Sequence, residues 1–237
     1  MLDKIRKWFN VGVLSNNQLK MIAIVTMTVD HIGSYILKEF LILRIIGRLA
    51  YPIFAYMIAE GCKYTKNRKK YLGMMSVLAF AYQTVFFAVT KSLHQCILVT
   101  FSLSIALIYI IDYARAKRST QSKALVLLAF LTVFLMTETV PRHFNNIGFD
   151  VDYRFFGVLV PIAVYVVDSW RDKLFMFAFS LVLLAGYFGG IQWFSLLTVP
   201  LLAVYNERRG KANLKYFFYI YYPLHLAVIY LIGFFVR

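Results

Sequence analysis

The chain has 237 residues, 61% of them hydrophobic, 18% aromatic and only 16% charged, with a mean hydropathy of +0.67. One soluble core of this size cannot bury that much apolar surface, which excludes an ordinary water-soluble globule and makes lipid the missing solvent. The formal charge of +15 would suit nucleic acid if it lay on one face, but Lys and Arg fall between the apolar runs, so they report membrane topology and not a nucleic-acid partner.

Residues 1–18 read as a basic interfacial segment, in which Leu2, Ile5 and Phe9 recur at helical spacing among Lys4, Arg6 and Lys7. The segment is too polar for a signal-peptide core and has no small-residue cleavage site ahead of the first apolar run. Ser15 and Gln18 have the spacing of a capping box, which predicts a helix start.

Residues 19–237 read as a single all-α transmembrane domain, since no loop is long and no linker or repeat interrupts it. The hydrocarbon core is about 30 Å thick and takes roughly 17–25 apolar residues per helical crossing. About nine runs qualify: 19–37, 42–61, 72–90, 97–113, 123–139, 154–168, 174–189, 191–205 and 217–236. The runs at 154–168, 174–189 and 191–205 are short, and Gly189-Gly190 separates the last two, so tilting, re-entry or merging there moves the count by about one or two. With the amino terminus in the cytoplasm, nineteen of the 26 Lys and Arg fall on the inner side and six on the outer side, and Arg48 lies within a run. That asymmetry is the positive-inside pattern and predicts an amino-terminus-in, multi-pass protein of the bacterial cytoplasmic membrane. Cys62 and Cys96 fall at opposite faces in this topology, too far apart for a bridge, which needs Cα atoms within about 7 Å. The interval 139–154, with Arg142, His143, Asn145, Asn146, Asp150, Asp152 and Arg154, is the most polar outer connection and reads as a solvated loop, or as a cover for a site opening outward.

Ionisable groups inside the runs are the candidate functional residues, because each costs roughly 2.5–3.5 kcal/mol at the bilayer centre. The first run carries Asp30 and His31, and the second carries Arg44 and Arg48 at i,i+4 near the same depth. A short turn makes these helices antiparallel neighbours, so an ion pair between Asp30 and an arginine is expected. Consecutive helical residues point about 100° apart, so Asp30 cannot orient His31, which needs a partner from another helix. On the residues alone His31 serves equally as a general base or as a hydrogen-bonded histidine between helices. His225 follows Tyr221, Tyr222 and Pro223 in the last run, where a proline frees a backbone carbonyl and bends the helix, as Pro52 does in the second. Glu60, Asp112, Asp168 and Glu138 lie at run ends, where interfacial water is within reach. No phosphate-binding loop, dinucleotide fingerprint, zinc-protease motif or Cys/His metal spacing occurs, so no metal is expected.

Four segments together, NQLKMIAIVTMTVDHIG, RIIGRLAYPIFAYMIAEGCKYTKNRKKYL, DYRFFGVLVPIAVYVVD and KYFFYIYYPLHLAVIYLI, resemble the TraX family, in order and over about a third of the chain. TraX-like proteins are polytopic inner-membrane proteins known for acetylating the amino terminus of conjugative pilin, and they resemble a wider group of transmembrane acyltransferases. The resemblance implies an acetyl-CoA-dependent acyltransferase, with acetyl-CoA as co-substrate and an acceptor in the envelope: a protein amino terminus, a polysaccharide or a lipid-linked sugar. It implies catalytic roles for His31 and Asp30, with support from Arg44, Arg48, Tyr51, Tyr222 and His225. The nucleotide of acetyl-CoA would then pair with Arg68, Lys69, Lys70, Arg208 and Arg209, whose other reading is topological anchoring. Direct transfer and an acetyl-histidine relay both remain open. So do a transporter or flippase using the Asp/His/Arg cluster and a non-enzymatic assembly factor.

Overall fold

The structure, a computed structural model, describes residues 12–144, 148–210 and 215–235, and about four-fifths of them are helical. The basic interfacial helix expected before residue 12 lies outside the described residues. Among the described residues, four helical stretches are long and apolar enough to cross a membrane, Leu41–Tyr64 (interrupted by a turn at 48–49), Arg68–Ala88, Ile97–Lys117 and Thr120–His143, and Arg154–Tyr165, Gly190–Ala203 and Ile220–Gly233 are shorter apolar stretches. The chain divides into two compact units, one of residues 1–57 and 177–237 and the other of residues 58–176.

The first unit begins with α1 (Asn16–Tyr35), whose start is the expected capping box: Ser15 Oγ accepts from the Gln18 amide, and Gln18 Oε1 accepts from the Ser15 amide at 2.8 Å. A tight turn leads to α2 (Leu41–Gly47), which packs on α1. Two glycines permit the close approach. A Cβ at Gly33 would press on Leu43, and one at Gly47 would overlap the Asp30 carboxylate. The second apolar run is not one continuous helix: α2 stops at Gly47, and α3 (Ala50–Tyr64) begins after a turn at Arg48 and Leu49. Pro52 explains the break, because it has no N–H for the carbonyl of Arg48 and its ring crowds that carbonyl.

The core of this unit comprises Leu19, Ala23, Ile53, Tyr56, Phe177, Leu181, Leu184 and Leu202, all buried. Tyr56 meets Phe177 and Tyr205 edge-on, with ring centroids 5.6 and 6.0 Å away. Ahead of α1, the amide of Asn206 donates to the carbonyl of Leu14 at 3.0 Å, and the amide of Asn16 donates to that of Arg208 at 2.8 Å, which pins residues 204–209 beside the helix start. A 3₁₀ helix (Gly190–Leu197) and the short α10 (Thr198–Ala203) precede that segment, and the last helix is α11 (Lys215–Phe235).

The second unit holds α4 (Arg68–Thr90), α5 (Ile97–Lys117), α6 (Thr120–Phe134), α7 (Val140–His143) and α8 (Arg154–Tyr165), with the end of α3 and the start of α9 (Trp170–Phe188). Phe101, Ile105, Leu107, Ile108, Val158, Val160 and Val164 form its core. Small hydroxyls stitch α5 to α8 as in other membrane bundles: Ser104 Oγ lies 2.9 Å from the carbonyl of Val158, and Thr100 Oγ1 donates to that of Asp152 at 2.6 Å. The loops before α5 and α8 pair through Gln95 and Val151, and His94 Nε2 lies 3.0 Å from Asp152 Oδ1. Between α6 and α7 a π-helical turn (Leu135–Thr139) presents buried Glu138, whose carboxylate accepts from the amide of Phe155 at the start of α8.

The acids at run ends are more deeply engaged than the sequence suggests. Glu60 is buried against Lys173 of α9 at 3.3 Å, and Asp112 accepts from Tyr165 at 2.6 Å and pairs with Arg68 at 2.7 Å. Only Asp168 is open to solvent, where Lys63 at 2.6 Å holds its carboxyl below the usual carboxylate range. At Glu60 and Asp112 interfacial water is displaced because each acid meets a basic or phenolic side chain from another helix. Both cysteines are free and buried.

Candidate functional site

The site in the first unit starts from the α1–α2 turn, which brings residues 14 and 18 positions apart in sequence to one carboxylate. Arg44 Nη1 lies 2.8 Å from Asp30 Oδ2, and Arg48 Nη2 lies 2.7 Å from Asp30 Oδ1. Each oxygen thus has its own guanidinium. Arg44 also donates to the hydroxyl of Ser34, which in turn donates to the carbonyl of Asp30 at 2.8 Å. Arg48 uses Nε on the carbonyl of Arg44 at 3.3 Å, and its Nη1 reaches Gln192 Oε1 of the 3₁₀ helix at 3.5 Å. Two arginines against one carboxylate leave the cluster with a net positive charge in a half-buried setting, which favours an anionic or strongly dipolar guest.

His31, one residue on from Asp30, points elsewhere, as the 100° step requires. Its Nδ1 lies 2.9 Å from Nε2 of His225 in α11, with the rings stacked at 5.0 Å. The proton positions follow from the next bond. His225 Nδ1 lies 2.9 Å from the carbonyl oxygen of Tyr221, which only accepts, so that nitrogen carries hydrogen. In the neutral pair His225 Nε2 is then the acceptor, His31 Nδ1 is the donor, and His31 Nε2 is left as the basic nitrogen. Tyr221 stacks on His225 at 5.1 Å, and its hydroxyl lies 2.6 Å from Thr28 Oγ1 of α1. Tyr222 meets His225 edge-on at 5.8 Å. This is the third-group orientation that general-base catalysis uses, with a histidine in the orienting position.

The remaining sequence candidates are less concentrated. Tyr51 is buried in the first turn of α3. Of the five basic candidates for the nucleotide, Arg68, Lys69 and Lys70 open α4 in the second unit, whereas Arg208 and Arg209 are exposed in the first, on the segment beside the α1 start. Arg68 is engaged, ion-paired with Asp112 and lying 5.3 Å over the ring of Tyr109. Lys69 and Lys70 are exposed. Ser34, Thr28 and Gln192 escaped the sequence reading because uncharged polar residues are common in membrane helices. The one available signal for Gln192 was its position beside Gly189-Gly190.

Comparison with known proteins decides the family. Residues 15–233 match the family described as "TraX protein". The chain belongs to the TraX family. Among curated proteins, this TraX chain is 26% identical over 234 residues to the "Probable fimbrial assembly protein FimC, serogroup H1" of Dichelobacter nodosus, covering 90% of this chain and 93% of that one. It is 38% identical over 69 residues to the "Uncharacterized protein RP591" of Rickettsia prowazekii (strain Madrid E), covering 29% of this chain and 27% of that protein. No solved structure matches it. The TraX match spans both units and includes Asp30, His31, Arg44, Arg48 and His225.

Proposed function

We propose that this TraX protein is a membrane-embedded acyltransferase that moves an acetyl group from cytosolic acetyl-CoA to an amine or hydroxyl on an acceptor at the outer side of the membrane. The observation that supports it best is the His31–His225 hydrogen bond, which makes His31 Nε2 the basic nitrogen of the pair, on the same helix whose Asp30 holds two arginines. In the reaction His31 Nε2 takes the proton from the acceptor N–H or O–H as that atom attacks the thioester carbonyl. His225 stabilises the resulting imidazolium by accepting from Nδ1. Arg44 and Arg48, held by Asp30, supply positive charge for the tetrahedral oxyanion. Collapse breaks the C–S bond, and the coenzyme A thiolate leaves, taking back the proton from His31. The groups we assign to the nucleotide phosphates are two separate basic sets, exposed Arg208 and Arg209 in the first unit, and exposed Lys69 and Lys70 with the ion-paired Arg68 in the second. The name of the Dichelobacter relative refers to fimbriae, which favours a surface-protein amine among the acceptors.

The reading includes about nine crossings with the amino terminus in the cytoplasm, where the positive-inside asymmetry places it. Reporter fusions after each apolar run test that topology. The activity is tested on the purified full chain in detergent with acetyl-CoA labelled in the acetyl group, where binding and transfer or slow hydrolysis are expected and His31→Ala lowers turnover about 10³-fold. Absence of both binding and hydrolysis in the wild type, together with an unchanged phenotype for His31→Ala in a cell-based acetylation assay, would sink the reading.

A further inference from the structure

The 3₁₀ helix Gly190–Leu197 is inverted relative to a soluble one. Its buried positions and the one that follows are Gln192, Ser195 and Thr198, at 5%, 0% and 0% exposure, and all are polar. Its apolar side chains Trp193, Phe194 and Leu197 are outward, at 46%, 40% and 53%. A 3₁₀ helix repeats every three residues, so these polar residues stack in one row, rising about 6 Å per step. Gly189 and Gly190 launch it with φ of +67° and +53°, and Gly189 has ψ of −166°, a region open essentially to glycine alone.

Two members of the row are chemically incomplete. Arg48 has only donors, so the amide of Gln192 must turn its oxygen to Arg48, as it does at 3.5 Å. Gln192 Nε2 is then a buried donor beside the Asp30–Arg48 pair with no protein acceptor among the described residues. Ser195 Oγ is likewise buried without a hydrogen-bond partner among them. Leaving two such groups unsatisfied is costly, and polar atoms of this kind are retained where a ligand completes them.

We propose that Gln192 and Ser195 are substrate-binding residues whose row takes carbonyl oxygens on the arm of the acyl thioester that enters beside Arg48. The inference rests on the acyltransferase reading. Their spacing of about 6 Å along the helix addresses two acceptors of one extended molecule instead of one shared oxygen. An acyl thioester followed by an amide meets that requirement, with the Gln192 end nearest the arginines taking the thioester carbonyl and Ser195 taking the amide carbonyl.

The test uses the purified full chain with two variants, Ser195→Ala and Gln192→Glu, and reads steady-state acetyl-CoA turnover and the melting temperature without substrate. Because the Ser195 hydroxyl has no protein partner, Ser195→Ala leaves the substrate-free melting temperature equal or higher, while KM for acetyl-CoA rises about tenfold, the worth of one neutral hydrogen bond. Gln192→Glu keeps the acceptor facing Arg48 but puts an oxygen where the donor was, and turnover falls by at least as much. Wild-type kinetics in both variants overturn the inference and leave the acyltransferase reading standing. A marked drop in the melting temperature of Ser195→Ala with unchanged KM also overturns it, since it would reveal a purely structural hydroxyl. If the wild type neither binds nor turns over acetyl-CoA, the reading and the inference fall together.

Discussion

His31 Nδ1 and His225 Nε2, 194 residues apart in sequence, lie 2.9 Å from one another, and the carbonyl of Tyr221 fixes which of the two nitrogens carries the hydrogen. On the acyltransferase reading, His225 acts through His31 by holding its tautomer. Removing His31 should cost about 10³-fold in acetyl transfer, and His225→Ala about 10²-fold, within the range that positioned acid–base groups supply. The double variant should be no slower than His31→Ala alone, since residues acting as one unit are non-additive. A double-mutant cycle on transfer rates measures this, and full additivity would contradict a positioning role of His225 through His31.

Asp30 pairs with two guanidinium groups, so its loss leaves both without a counter-charge. Asp30→Asn should destabilise the protein by about 3 kcal/mol, the lower part of the range for breaking a buried pair. Gly47→Ala should act through the same carboxylate, because its Cβ would overlap Asp30 and displace it from the arginines. Thermal melts in detergent check both. Gly33→Ala, which only presses on Leu43, should be milder.

The helical segments and the Asp30–arginine cluster were legible in the sequence for a common reason: both depend on neighbours along the chain. Apolar runs mark the helices, Ser15 and Gln18 mark a start, and a short turn forces Arg44 and Arg48 onto the depth of Asp30. The histidine pair and the Gln192 row depend on packing between distant helices, which periodicity does not encode. Arg68 shows the same limit. Its ion pair with Asp112, 44 positions further along, is a contact between distant helices that its basic neighbours in sequence do not encode. The break at Arg48 was half legible, since Pro52 signalled a bend but not that α2 would end at Gly47.

Outside the helices, His94 offers a pH test. The hydrogen bond and charge of Asp152, with help from Asp150, raise its pKa above the ordinary 6.5, against an opposing effect of burial. A raised folded-state pKa means that the pair's stabilisation is complete below about pH 6.5 and fades as pH rises through the folded value. Both side chains are more than a third exposed, so solvent screening keeps the effect small. The melting temperature of His94→Gln should therefore fall below that of the wild type at pH 6 and approach it under alkaline conditions. A gap that widened with pH would have the wrong sign.

Glu60 and Lys173 form the most buried ion pair among the described residues, with side chains 5% and 4% exposed. Two desolvated charges recover little net energy from each other, but either one alone is severely penalised. Glu60→Gln or Lys173→Met should each destabilise the protein by about 3–5 kcal/mol. Replacing both partners together, Glu60→Met with Lys173→Leu, removes the uncompensated charge and should recover most of that loss. Melting temperatures of the two single variants and the double variant decide it. A double variant no better than the worse single would mean that hydrogen bonds to other groups, and not the mutual charge, keep the pair in place.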